Sequence, residues 1–96
     1  MTTLVELKRD YRAAFLRYLP RRDEAALHSG YELGRRAVAD GVSLLELVRI
    51  HHEVLLDVLQ DSRPEELAEV ATAASEFLVE ALAVHEMAQR RFAGGQ

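Results

Sequence analysis

Apolar residues along this chain fall into four stretches with helical spacing, and the last stretch is the longest. From Ser62 to Phe92 they recur at Leu67, Ala71, Ala74, Leu78, Ala81, His85, Ala88 and Phe92. Steps of four and three alternate without a break, as in a helix packed along a bundle axis. Val70, Phe77 and Val84 widen the stripe to one side. Ser62 and Glu65 predict a capping box, with Pro64 in the first turn, where a missing N–H costs nothing. The opposite face reads Glu66, Glu69, Ala73, Glu76, Glu80, Ala83, Met87, so charge is dense at first and then stops. Val79, Ala83 and Met87 make an apolar patch on a face that should meet water. Scattered surface apolar residues are common, whereas contiguous patches on small proteins tend to be functional.

Three shorter helices precede this rod. The first is expected from Thr3 to Leu19, opened by a Thr3–Glu6 capping box. Leu4, Leu7, Tyr11, Ala14 and Tyr18 form its inner face, Phe15 broadens it, and Pro20 should end it by disfavouring helical backbone at Leu19. The second starts near Asp23, buries Leu27, Gly30, Gly34 and Ala37 with Tyr31 and Val38 beside them, and stops at Gly41 as a left-handed cap. Two glycines on one helical face each cost about 1 kcal/mol of propensity, so Gly30 and Gly34 predict a groove that admits a neighbouring helix closely. The third runs from a Ser43–Glu46 capping box to Gln60. It carries two apolar seams: Leu44, Leu47, His51, Val54, Val58, and Leu45, Val48, His52, Leu55, Leu59. A helix apolar over more than half its circumference must be covered on two sides, so it is either central in the bundle or at a subunit interface.

Short links at Pro20–Arg22, Gly41–Val42 and Asp61–Ser62 predict an all-α, antiparallel up-down four-helix bundle. One helical domain spans 1–93, and 94–96 read as a frayed tail or the start of a linker. The last helix should overhang the third by about 12 residues, or ~18 Å. That overhang carries Ala81, Leu82, Val84, Ala88 and Phe92, which need cover. Pairing of two chains would supply it and would also cover the second seam of helix three. Leu45, Val48, Leu82, Ala88 and Phe92 are therefore the expected dimerisation residues.

Composition narrows the function classes. Among 96 residues, 49% are hydrophobic and 29% charged, which suits one small globular domain. The absence of cysteine excludes thiolate metal sites and thiol catalysis. A net charge of −4 argues against non-specific nucleic-acid binding, which needs a dense cationic surface. No apolar run approaches the ~18 residues of a membrane span, and no signal peptide precedes the first helix. The cytoplasm is the expected location.

Four histidines invite a metal site, but none has glutamate three positions before it, as a di-iron bundle requires. His85-Glu86-Met87-Ala88-Gln89 begins like a zinc-protease motif and has Gln89 where a second imidazole is needed. Hydrogen-bonded core histidines explain His51 and His85 better, and neither metal nor cofactor is expected. Ala37 to Ser43 looks like the turn of a helix-turn-helix, yet the helix after it would offer Leu44 and Leu45 to base edges that need hydrogen-bonding partners. A glycine cap followed by a serine cap accounts for the same residues. No nucleophile motif or phosphate loop is present, so no enzymatic activity is expected.

An ordered set of residues resembles a known family. Tyr11, Arg17-Tyr18, Glu24, Leu27, Arg35, Glu46, Ile50-His51, Val54-Leu55, Phe77-Leu78-Val79-Glu80 and Met87-Ala88 look like the N-terminal domain of the RsbU stress-response phosphatases. The resemblance implies a dimeric helical domain that regulates a PP2C-type serine phosphatase. It also implies an activating partner, the kinase-like switch protein RsbT, in the cascade that frees a sigma factor. By position, the family's partner face falls on Glu24, His28, Val79 and Ala83, and the apolar patch adds Met87. The family's usual aromatic is replaced by His28, and Ala83 is smaller than its usual aliphatic. The alternative is a stand-alone dimeric helical adaptor unconnected to a phosphatase; a metal-binding bundle is the third reading.

Overall fold

A computed structural model describes residues 3–94, with side chains as far as Arg91. Among the described residues there are four α-helices and no strand: α1 Leu4–Arg21, α2 Glu24–Ala39, α3 Leu44–Gln60 and α4 Leu67–Gly94, the last preceded by a 3-10 turn at Pro64–Glu66.

The caps explain most of these limits. Thr3 Oγ1 accepts from the Glu6 N–H at 3.1 Å, and the Glu6 carboxylate accepts from the Thr3 N–H at 3.4 Å, a reciprocal box that satisfies two otherwise orphaned donors. Asp23 and Ser43 accept from the Ala26 and Glu46 N–H groups. Gly41 adopts φ 73°, and Gly41 and Val42 donate to the Val38 and Ala37 carbonyls. These bonds form the glycine-terminated closure that the left-handed region makes possible.

Two boundaries differ from expectation. Pro20 does not end α1, which runs on to Arg21. A proline in the last turn sacrifices one backbone bond, and the Arg22 N–H closes the helix by donating to the Tyr18 carbonyl at 2.7 Å. The last helix is not capped by Ser62 and Glu65. Ser62 Oγ donates back to the Val58 carbonyl, while Glu66 accepts from the Arg63 N–H. The Glu66 N–H goes to the Arg63 carbonyl, so only the carboxylate half of a box forms, one residue later than expected, because Ser62 is still closing α3.

The core is built around Phe77. Its ring stands 5.2 Å from Tyr11, 5.7 Å from Phe15 and 5.8 Å from Tyr18, the range of favourable edge and tilted aromatic pairs. Leu7, Ala14, Leu33, Leu47, Ile50, Val54 and Val58 complete the core from the first three helices. The inner face of α4 is Val70, Ala73, Ala74, Phe77 and Ala81, all buried. The stripe is thus turned from its expected centre. Leu67, Ala71 and Ala88 are exposed, and Ala73, expected outside, is fully buried.

Helix α2 packs most extensively on α4. The Phe77 ring lies against Gly30, and the Ala81 backbone lies against Gly34 so closely that a Cβ there would collide with its carbonyl. Ala81 is therefore core, not part of an uncovered overhang. Helix α3 touches α1 and α4 but has no extended contact with α2, its neighbour in the chain. It is not central. Its first seam is buried from Leu47 to Val58, and Ile50, outside both expected seams, joins it. Leu44, expected in that buried seam, is exposed, as are Leu45, Val48 and His52.

Candidate partner-binding surface

Past Ala81, α4 leaves the core gradually: Leu82 to His85 are half-buried and Glu86 to Arg91 exposed. A helix of 28 residues is about 42 Å long, beyond what three helices of 18, 16 and 17 residues can cover. The Ser43 cap starts α3 alongside this emerging half of α4, and His85 Nε2 lies 3.4 Å from the Val42 carbonyl in the link between α2 and α3. His85 Nδ1 is buried without a partner.

Between them lies a groove of about 370 Å³ lined by Leu44, Val79, Leu82, Ala83, His85, Glu86 and Gln89. Val79 is 67% exposed and Met87 49%. On α3, Leu45 at 77% and Val48 at 37% extend apolar surface next to Leu44. Such a run of uncovered large side chains on a small domain makes this the candidate docking surface.

The sequence-derived candidates divide over this surface. Val79 and Ala83 line one groove together, and Leu82, expected at a dimer contact, lines it with them. Ala88 is exposed; the Phe92 side chain lies outside the described residues. Glu24 is exposed in the first turn of α2. His28 lines a different groove, between α1 and α2, with Arg17, Ser29 and Arg36. Its Nε2 sits 3.2 Å from Glu32, and its ring stacks on Tyr31. Leu44 was not among the sequence-derived site residues, because the same periodicity that marks a core seam also marks the first turn of a helix protruding past its neighbours.

A second feature missed by the sequence joins α4 to the turn between α1 and α2. Tyr18 donates to Glu76 Oε1 at 2.7 Å, and Arg22 Nη2 donates to the same oxygen at 2.6 Å. The Tyr18 hydrogen bond, helped by the Arg22 charge, holds the Glu76 carboxyl below the usual carboxylate range. No local signal announces a contact across 54 positions of sequence. Deeper in the bundle the Tyr11 hydroxyl and His51 Nδ1 are 2.8 Å apart. Burial pushes the Tyr11 hydroxyl up, and burial together with nearby His52 pushes His51 down. Tyr11 and His51 thus satisfy each other as neutral groups.

Among the described residues, no group of three or more His, Asp or Glu side chains is placed to hold a metal ion. No helix is long and apolar enough to cross a membrane. Against known proteins, a family model described as phosphoserine phosphatase RsbU, N-terminal domain, matches residues 9–88. No curated protein and no solved structure matches the chain.

Proposed function

The chain belongs to the family of RsbU N-terminal domains, and from that premise we propose that it is a non-catalytic regulatory module which docks a kinase-like, RsbT-like switch protein. Docking would control a PP2C-type phosphatase in a partner-switching stress response in the cytoplasm. In this reading the helices form an up-down bundle, two copies pair, and the partner meets Glu24, His28, Val79, Ala83 and Met87. The observation that carries the reading is the groove at Val79 and Ala83 with exposed Met87 beyond it. An apolar centre rimmed by carboxylates such as Glu86 has the anatomy of a reversible protein interface. Self-pairing is supported by the uncovered Leu45 and Val48 on α3.

The test is calorimetric titration of the purified chain with a kinase-like RsbT protein. Val79→Asp should abolish the heat of binding while leaving helicity unchanged, because the side chain lies outside the core and a charge in a desolvated centre is unpaired. Wild-type affinity in a folded Val79→Asp variant would contradict the reading.

A further inference from the structure

Resting on the docking reading above, we propose that Arg22, Tyr18 and Glu76 form a clamp that fixes the start of α2 against the middle of α4 and so sets the spacing between Glu24 and Val79. Arg22 is the one non-glycine residue with positive φ among the described residues, at 53°. For an L side chain this region is unfavourable, and glycine would occupy it without that penalty. Glycine would, however, carry no guanidinium. At this turn the guanidinium donates to Glu76 Oε1 and sits 5.7 Å over the Tyr18 ring. Its Nε is buried with no partner, so the group is drawn inward even though one of its donors goes unsatisfied. Tyr18 completes the triangle by donating to the same Glu76 oxygen, and its ring rests against Phe77.

The placement gives the clamp its role. Glu24 follows Arg22 by two residues, and Val79 follows Glu76 by three within one continuous helix. The notch at Gly30 and Gly34 grips α2 further along its length. Toward its start, the polar tie to α4 among the described residues is this one carboxylate. Charge-assisted hydrogen bonds converging on one oxygen are directional, so they restrict the first turn of α2 in a way that apolar packing does not. Arg22 and Glu76 are positioning residues in this account and need not touch the partner.

The chain has no cysteine, so Glu24→Cys with Val79→Cys takes spin labels at those two positions alone, and pulsed dipolar spectroscopy reads the distance distribution between them. Arg22→Asn keeps a residue that tolerates the left-handed turn and removes the guanidinium; Glu76→Gln keeps the shape and removes the charge. Each should broaden the distribution to about twice its width, as expected for a locally loosened segment, with little change in helicity. Arg22→Lys, which restores the charge, should return most of the wild-type width, a recovery that a general loss of stability would not produce. An unchanged distribution in folded Arg22→Asn and Glu76→Gln overturns the clamp even if Val79→Asp abolishes partner binding. A broadened distribution in a chain whose unmodified form binds no RsbT-like protein upholds the clamp and overturns the docking reading instead.

Discussion

The two sides of α4 are built on opposite principles. Toward α2 its residues meet glycines, and the backbones approach until no Cβ fits at Gly34. Away from the core, past the start of α3, it meets Leu44 across an open groove and leaves Val79 and Met87 in water. Glycines on α2 admit the closed contact, and large apolar side chains such as Leu44 and Val79 stand on the open surface. A domain that needed these large side chains only for its own stability would have turned them inward, since burying each contributes about 1.5–3 kcal/mol. The closed side holds the fold, and in the proposed docking reading the open side meets a second molecule.

The sharpest way to break this contrast is to crowd the closed side. Gly34→Ala should cost about 3 kcal/mol, the upper end of overpacking, because the new methyl meets backbone that cannot step aside. Gly30→Ala should stay within ~1 kcal/mol of wild type, because the Phe77 ring it meets can shift by a few tenths of an ångström and the gain in helix propensity offsets the strain. Thermal melts of the two variants compare them directly. Equal effects would mean that the Ala81 backbone yields as readily as the Phe77 ring.

Next in size is the buried polar pair. Tyr11→Phe leaves His51 Nδ1 without its partner, a loss of about 1–3 kcal/mol, measurable by urea unfolding. The same pair, between α1 and α3, gives the core a pH dependence. His51 lies below its ordinary value of 6.5 in the folded chain, so between that depressed value and about 6.5 the unfolded chain binds more protons. Stability from this group is full above pH ~6.5 and is lost as pH falls through the depressed value. His51→Gln should flatten that part of the stability profile; an unchanged slope would assign it to other groups.

The smallest effect on stability belongs to the open side. Leu45→Glu and Val48→Glu should move the melting curve by no more than ~0.5 kcal/mol, as for surface substitutions generally. In light scattering, however, they should convert a dimer to a monomer. A wild-type chain already monomeric at tens of micromolar would remove self-pairing from the account.

How much of this contrast is legible in the sequence depends on the residues that carry it. On α1, Leu7, Tyr11, Phe15 and Tyr18 are large and share one face, so periodicity finds the core there, missing only at Leu4, which the first turn leaves exposed. On α4, alanines at 71, 73, 74, 81 and 88 satisfy two neighbouring stripes equally, so the pattern finds Val70, Ala74, Phe77 and Ala81 but centres the stripe too far round, on exposed Leu67, Ala71 and Ala88. The rotation is decided by Phe77 meeting Gly30, a tertiary contact. The glycine groove itself is legible, because two glycines inside a helix are unfavourable unless something packs on them. Leu44 is not, since a core seam and a protruding first turn share one spacing. Pro20 misleads because in the last turn it removes only one backbone bond, and the Arg22 N–H still closes the helix onto the Tyr18 carbonyl. The Arg22–Glu76 contact leaves no trace, as salt bridges between distant positions have no local period.

Hydrogen exchange of the chain alone and with a kinase-like RsbT protein, resolved to single amides, tests the division of α4 most directly. Backbone amides around Glu76 to Met87 and in the first turn of α2 should gain protection on binding. Those at Gly30 and Gly34, already closed by the fold, should keep the rates they have in the free chain. Protection arriving at the glycine notch while residues 79–87 stay unchanged would contradict the account, because the side here assigned to the fold would be the one that meets the partner.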